Sequence, residues 1–149
     1  MTTFETVPVG TLHNYPTPQP RGGDVLSEGT KTILIVDDNA MSRELIREAL
    51  GRDGYSILEA DDGRAALDLM AEVRPDLVVM DIHMPVLDGY ETVKEMRGTA
   101  NLETIPTIAV TAYAMLGDRE RALSAGFDSY VVKPVNVTAL RLQIAQLLH

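Results

Sequence analysis

The sequence predicts a doubly wound α/β domain, a parallel sheet with helices on both faces. Two observations predict it. Short apolar runs rich in Val and Ile recur five times, and each is followed by apolar residues returning at helical spacing. Glycine or proline marks most joints between them, among them Gly54, Pro75, Pro85, Pro106, Gly126 and Pro134. Right-handed crossovers leave few topologies for five such units.

Taken in order, the first strand reads Thr32–Val36 and ends in Asp37-Asp38-Asn39. Met41, Leu45, Ile46, Ala49 and Leu50 then recur at helical spacing, and Gly51 or Gly54 stops that helix. Residues 55–60 form a second strand, closed by Asp61-Asp62-Gly63. Ala66, Leu67, Met70 and Val73 line a second helix, stopped by Pro75. The third strand, 76–81, carries an unbroken apolar run from Leu77 to Met80, as expected of a strand buried on both faces. Met84-Pro85 ends the extended segment, because proline has no N–H for a ladder and restricts the residue before it. Gly89–Arg97 is a third helix with Tyr90, Val93 and Met96 inward. Ile105-Pro106 leads into a fourth strand, Thr107–Thr111; residues 115–125 form a fourth helix, ended by Gly126. Ser129–Val132 is the fifth strand, followed by Lys133-Pro134, a candidate for a cis bond. Val137, Leu140, Ile144, Leu147 and Leu148 make the stripe of a last helix.

Residues 1–30 break this pattern. They hold Pro8, Pro16, Pro18 and Pro20, half of the eight prolines, with Gly10, Gly22, Gly23 and Gly29. The composition predicts a flexible arm ahead of a domain spanning 31–149. A docking segment anchored by Phe4, Leu12 and Tyr15 is the alternative.

The 149 residues leave room for one domain with a proper core, and their net charge of −9 sets limits on partners. It disfavours non-specific nucleic-acid binding and an anionic membrane surface. The chain has no cysteine, which fits a reducing cytoplasm and removes thiolate metal sites. No apolar run approaches the ~20 residues of a membrane span, and the first residues lack the charged and apolar regions of a secretory leader.

In a parallel sheet all carboxyl ends of the strands lie on one edge, where open α/β sheets keep their sites. The polar strand ends therefore converge: Asp37 and Asp38 after the first strand, Asp81 at the third, Thr111 at the fourth and Lys133 after the fifth. Singly, each has a bland explanation. Asp81 could cap a turn, Asp37-Asp38 could cap the first helix, and Thr111 could be an ordinary strand residue. Together they resist it. Two unit charges ~4 Å apart near a protein surface repel by about 4 kcal/mol, so three carboxylates call for a cation. Oxygen ligands without a His/Cys cluster favour Mg²⁺. A carboxylate beside that ion can attack phosphorus and form an aspartyl-phosphate. Lys133, one of three lysines in the chain, would neutralise phosphoryl oxygens and Thr111 would donate to another.

Asp37-Asp38, Asp81 with Met84-Pro85 and Asp88-Gly89, Thr111-Ala112 and Lys133-Pro134 together resemble the receiver domain of two-component response regulators. The match runs from about Lys31 to His149. The resemblance implies a flavodoxin-like sheet of strand order 2-1-3-4-5 with five helices. It implies that Asp81 accepts phosphate from a phosphohistidine on a sensor histidine kinase or phosphotransfer protein. Asp38 and Asp81 would ligate Mg²⁺ directly, Asp37 through water, and His83 through its backbone carbonyl. Thr111 and Lys133 would bind the phosphoryl group. Thr111 and Tyr130 would form the switch, with Tyr130 turning inward on phosphorylation and changing the face made by the fourth helix, fifth strand and fifth helix. Plain packing of Tyr130, its hydroxyl at the surface, is the alternative. His83 and Tyr113, two residues beyond Asp81 and Thr111, stand where family members tune the lifetime of the phosphate. With the match running to His149, output is expected through a downstream protein target in trans, and a homodimer through the switching face is left open.

Other functions fit less well. A metal-dependent phosphatase with an aspartyl nucleophile would want an acidic residue two beyond it, where His83 stands. A nucleotide- or flavin-binding domain would want a glycine-rich phosphate loop, and none is present. A phosphate-independent scaffold would have no need of all five site residues.

Overall fold

The computed structural model describes residues 29–113 and 115–149. Five strands and five helices alternate: β1 Thr32–Val36, α1 Ala40–Gly51, β2 Ser56–Ala60, α2 Gly63–Glu72, β3 Leu77–Asp81, α3 Gly89–Arg97, β4 Thr107–Thr111, α4 Asp118–Ala125, β5 Ser129–Val132 and α5 Val137–Leu148. All four strand pairings are parallel, in the order β2-β1-β3-β4-β5. The arm expected over residues 1–30 lies, but for Gly29 and Thr30, outside the described residues.

Period-two alternation divides the core between the sheet's faces. Leu34 and Val36 of β1, Val78 and Met80 of β3 and Ala109 of β4 face α2, α3 and α4, where they meet Met70, Val93, Met96 and Ala122. Ile33, Ile35, Leu77, Val79, Ile108 and Val110 face α1 and α5, against Ile46, Leu50, Leu140 and Ile144. Because β3 and β4 are buried along their whole length, polar side chains on them can appear only at their ends.

The helices start where polar side chains supply acceptors for orphan N–H groups. Asn39 accepts from Ser42 N at 2.9 Å and Asp62 from Ala65 N at 2.7 Å. At α3 the Asp88 side chain takes Glu91 N at 2.8 Å while Glu91 returns to Asp88 N at 2.9 Å, a capping box. A Cβ at Gly89 would lie 2.7 Å from Ile82 Cα and 2.8 Å from the Asp81 carbonyl oxygen. Only glycine lets α3 begin so close to the strand end that bears Asp81. Arg97, the last residue of α3, binds the Gly126 and Ile105 carbonyls at 2.9 and 2.8 Å and pairs with Asp128 at 3.1 Å. It thereby ties the end of α4 to the start of β4.

Two expectations need correction. The fourth helix begins at Asp118 and not at residue 115. Gly117 there has φ +88° and Met115 N is taken by the Asp118 carboxylate at 3.0 Å, so Met115 and Leu116 belong to an exposed turn. In α1, Met41 and Leu45 are 78% and 53% exposed. They lie one turn apart on a stripe of their own, rotated away from the buried stripe of Ile46, Ala49 and Leu50. Smaller shifts occur at the starts of β2 and β3. Asp76 stands just outside β3, with its carboxylate accepting Thr32 N at 2.7 Å. The Lys133-Pro134 bond is cis. No described helix is long and apolar enough to cross a membrane.

Candidate functional site

Four of the five predicted site residues meet at the carboxyl edge of the sheet. Carboxylate oxygens of Asp37, Asp38 and Asp81 lie within 4.8 Å of one another. Asp37 and Asp81 are buried, at 2% and 6% exposure, while Asp38 is open to solvent. The Lys133 ammonium donates to Asp37 Oδ2 at 3.0 Å and to Asp81 Oδ2 at 3.3 Å. The other oxygens have backbone donors: Asn39 N lies 2.9 Å from Asp37 Oδ1 and His83 N lies 3.1 Å from Asp81 Oδ1. Asp38 has no hydrogen-bond or ion-pair partner given by another described residue.

Thr111, also buried, is turned differently. Its hydroxyl accepts Tyr113 N at 3.0 Å and donates to the Tyr113 carbonyl at 3.3 Å. It ends β4 with its hydroxyl held by the loop that follows rather than by an acid.

Burial pushes the Asp81 carboxyl above its ordinary range, and the charge of Asp37 adds to this. The Lys133 charge and the His83 N–H oppose the rise without cancelling it. Burial alone would lower Lys133. Its hydrogen bond to Asp37 and the charges of Asp81 and Asp37 outweigh that and hold the ammonium above its usual value. Two buried acids on one ammonium leave one net negative charge, and Asp38 adds another. Oxygen-only donors in this number and spacing fit a hard divalent cation such as Mg²⁺. Asp37, Asp38 and Asp81 could each offer it an oxygen, although Asp37 and Asp81 also take Lys133 and a backbone N–H.

His83 and Tyr113, two residues beyond Asp81 and Thr111, come together. Their rings meet edge to face with centroids 5.0 Å apart and planes at 84°. Tyr130 packs among the residues facing α2, α3 and α4. Its hydroxyl is buried without a hydrogen-bond partner among the described residues. Tyr130 is thus packed as the alternative to a switch had it, but with its hydroxyl buried and not at the surface. Burial, then the charge of Asp118 and the neighbouring Tyr90, pushes the phenol upward.

Sequence reasoning missed two supports of the site. Arg43 donates to the Asp37 carbonyl at 2.6 Å and to Glu59 at 3.0 Å, and Arg47 joins Glu59 at 2.8 Å. The signal was available: two arginines four apart on α1 beside the acid near the end of β2. The second support is a γ-turn in which Leu87 N binds the Pro85 carbonyl at 2.7 Å around Val86, whose φ is +69°. A β-branched residue in that region is an outlier, and nothing in the sequence announces it.

The family model of the response regulator receiver domain matches residues 33–145. The chain belongs to the response regulator receiver domain family. The receiver is 42% identical over 108 residues to the polar-differentiation response regulator DivK of Brucella ovis, covering 72% of this chain and 88% of that protein. DivK of Brucella anthropi is equally similar, over 107 residues. Among solved structures, the receiver resembles the receiver domain of a sensor histidine kinase from Pseudomonas aeruginosa PAO1, which has a magnesium ion coordinated in its active site cleft. The TM-score is 0.74 at 35% identity, covering 80% of this chain and 98% of that one. The chemotaxis response regulator CheY4 of Vibrio cholerae gives a TM-score of 0.75 at 28% identity, covering 80% and 99%. Fold and strand order agree with the expectation from sequence.

Proposed function

We propose that this receiver is a cytoplasmic phosphoacceptor, charged on Asp81 by a phosphohistidine donor and read by a protein target in trans. The observation that carries the reading is the position of Lys133, whose one ammonium spans Asp37 and Asp81 while Asp38 stays open beside them. An oxygen of Asp81 forms a bond to phosphorus as the bond from phosphorus to the donor imidazole breaks. The electron pair stays on the imidazole nitrogen, which takes a proton from solvent. Lys133 turns from carboxylate to phosphoryl oxygen, and the Thr111 hydroxyl, freed from Tyr113, donates to another. Magnesium held by Asp38, Asp81 and the His83 carbonyl, with Asp37 reached through water, would neutralise the phosphoryl oxygens. Self-phosphorylation from a small donor and self-dephosphorylation are the only chemistry assigned to the chain.

Movement of Thr111 toward the phosphoryl group would empty space beside Tyr130, whose unpartnered hydroxyl has something to gain from a change of place. The face made by α4, β5 and α5 is the surface that would change. The sensor kinase or histidine phosphotransfer protein would dock over the crevice. Its rim there is apolar and exposed, with Met41, Val86, Tyr113, Met115 and Leu116. Likeness to DivK supports a place in a differentiation pathway.

The test is incubation with acetyl phosphate and Mg²⁺ followed by intact-mass measurement. A labile adduct of about 80 Da, absent from Asp81→Asn, is expected. Steady turnover of a phosphate ester without an adduct would replace this reading with the phosphatase. A competent protein whose target binds both forms equally would replace it with the scaffold.

A further inference from the structure

Between α3 and α4 lies an open groove of about 450 Å³ lined by Tyr90, Lys94, Arg121, Ser124 and Ala125, none of them a residue of the acidic crevice. Tyr90 and Lys94 are four residues apart on α3, and Arg121, Ser124 and Ala125 share a stripe of α4, so two helix faces look at each other across it. The Arg121 guanidinium lies over the Tyr90 ring, 4.2 Å from its centroid. Phe127 also meets the Tyr90 ring, edge to face at 6.4 Å.

The charge of this groove is the exception in its protein. The chain carries −9, yet the lining holds two cations and no acid. Most other arginines are committed: Arg43 and Arg47 to Glu59, Arg64 to Glu95, Arg97 to Asp128, Arg141 to Asp53. Among the described residues, neither Lys94 nor Arg121 has a carboxylate partner, although Glu91, Glu95, Asp118 and Glu120 stand on the same two helices. Stacking on Tyr90 holds the guanidinium flat and limits the rotamer freedom a ligand must overcome.

We propose that this groove is a docking site for an acidic peptide segment of a partner protein. A glutamate entering it finds a cation on each wall, a hydroxyl from Ser124, and apolar surface on Tyr90 and Ala125 for its methylenes. The groove is open along the helices, as an extended segment requires. The groove uses none of the residues proposed for phosphoryl transfer and is tested in the unphosphorylated protein.

The probe is fluorescein-labelled hexaglutamate, titrated with the full chain and read by anisotropy. At about 0.1 M salt the field of the whole protein is screened beyond about 10 Å, so local charge decides. The Lys94→Ala/Arg121→Ala double variant is expected to weaken binding about tenfold. Arg52→Ala, which removes an exposed cation at the end of α1 on the other side of the sheet, is expected to leave it unchanged. Melting curves of the variants confirm that each is folded. Absence of binding, equal loss in both variants, or no loss in the double variant overturns the proposal. ATP binding that depends on Lys94 and Arg121, with hexaglutamate excluded, overturns it in favour of a nucleotide.

Discussion

The imidazole of His83 meets the phenol ring of Tyr113 edge to face at 5.0 Å, joining the loop after β3 to the loop after β4. The two residues whose chemistry is proposed, Asp81 and Thr111, end the strands that lead into these loops, each two positions back. If Asp81 is the phosphoacceptor, the pair is expected to hinder the approach of water to the phosphoryl group. Tyr113→Ala is therefore expected to shorten the lifetime of the phosphorylated protein. Such ring pairs contribute about 0.5–1.5 kcal/mol beyond area burial. A cycle of His83→Ala, Tyr113→Ala and the double variant should then show non-additivity of roughly two- to tenfold in the decay rate, followed by mass or radiolabel. Additive effects would mean the rings act separately.

Asp81 carries a cost of its own burial. Its carboxyl is raised above 3.8, first by burial and then by Asp37. A folded value above the unfolded one means that the associated stability is complete below pH 3.8 and is lost as pH rises through the raised value. At neutral pH the ionised group is a burden. Asp81→Asn is expected to melt higher than the parent in EDTA near pH 7, by about 1.4 kcal/mol for each pKa unit relieved. The advantage should vanish below pH 3.8. Lys133 has the same sign at the other end of the scale. Its contribution is complete below 10.5 and is lost as pH rises through its raised value. Thermal melts across pH read both limbs.

If the three carboxylates, with oxygens within 4.8 Å of one another, hold a divalent cation, stability is expected to depend on it. Magnesium at 100 times its dissociation constant is expected to stabilise the fold by about 2.7 kcal/mol, visible as a rise in melting temperature. Asp38→Asn should do two opposite things. It should raise the metal-free melting temperature, because one repulsive charge is gone, and remove most of the response to magnesium. A melt indifferent to millimolar magnesium would contradict the assignment.

Tyr130→Phe removes a buried hydroxyl that has no partner among the described residues. Leaving such a group unpaired costs about 1–3 kcal/mol, so the variant is expected to gain stability of that order in denaturant melts. If the phosphorylated state gives the hydroxyl a partner, the same variant will bind its target less selectively.

The lessons of the sequence differ from element to element. The unbroken apolar run of Leu77 to Met80 identified a central strand because nothing but a doubly covered strand tolerates that composition, and Asp81 at its end followed. Asp37, Asp38 and Lys133 were legible for the same reason: strand direction alone gathers them. The exposure of Met41 and Leu45 was not legible, because an apolar residue at helical spacing fits either of two neighbouring stripes. Nor was the late start of α4, where Met115 and Leu116 extend an apolar pattern that the positive φ of Gly117 cuts off. Contacts made by long side chains, such as Arg43 on the Asp37 carbonyl, depend on helix placement rather than spacing.

The clamp made by Arg97 has a consequence for motion. It fastens the C-terminal end of α4, through Gly126, to the floor of the molecule. The opposite end has no side-chain cap, and Ala122 is the only buried residue the helix contributes. A helix riveted at its far end and uncapped at the end that follows β4 is expected to pivot about Gly126 if phosphorylation displaces Thr111.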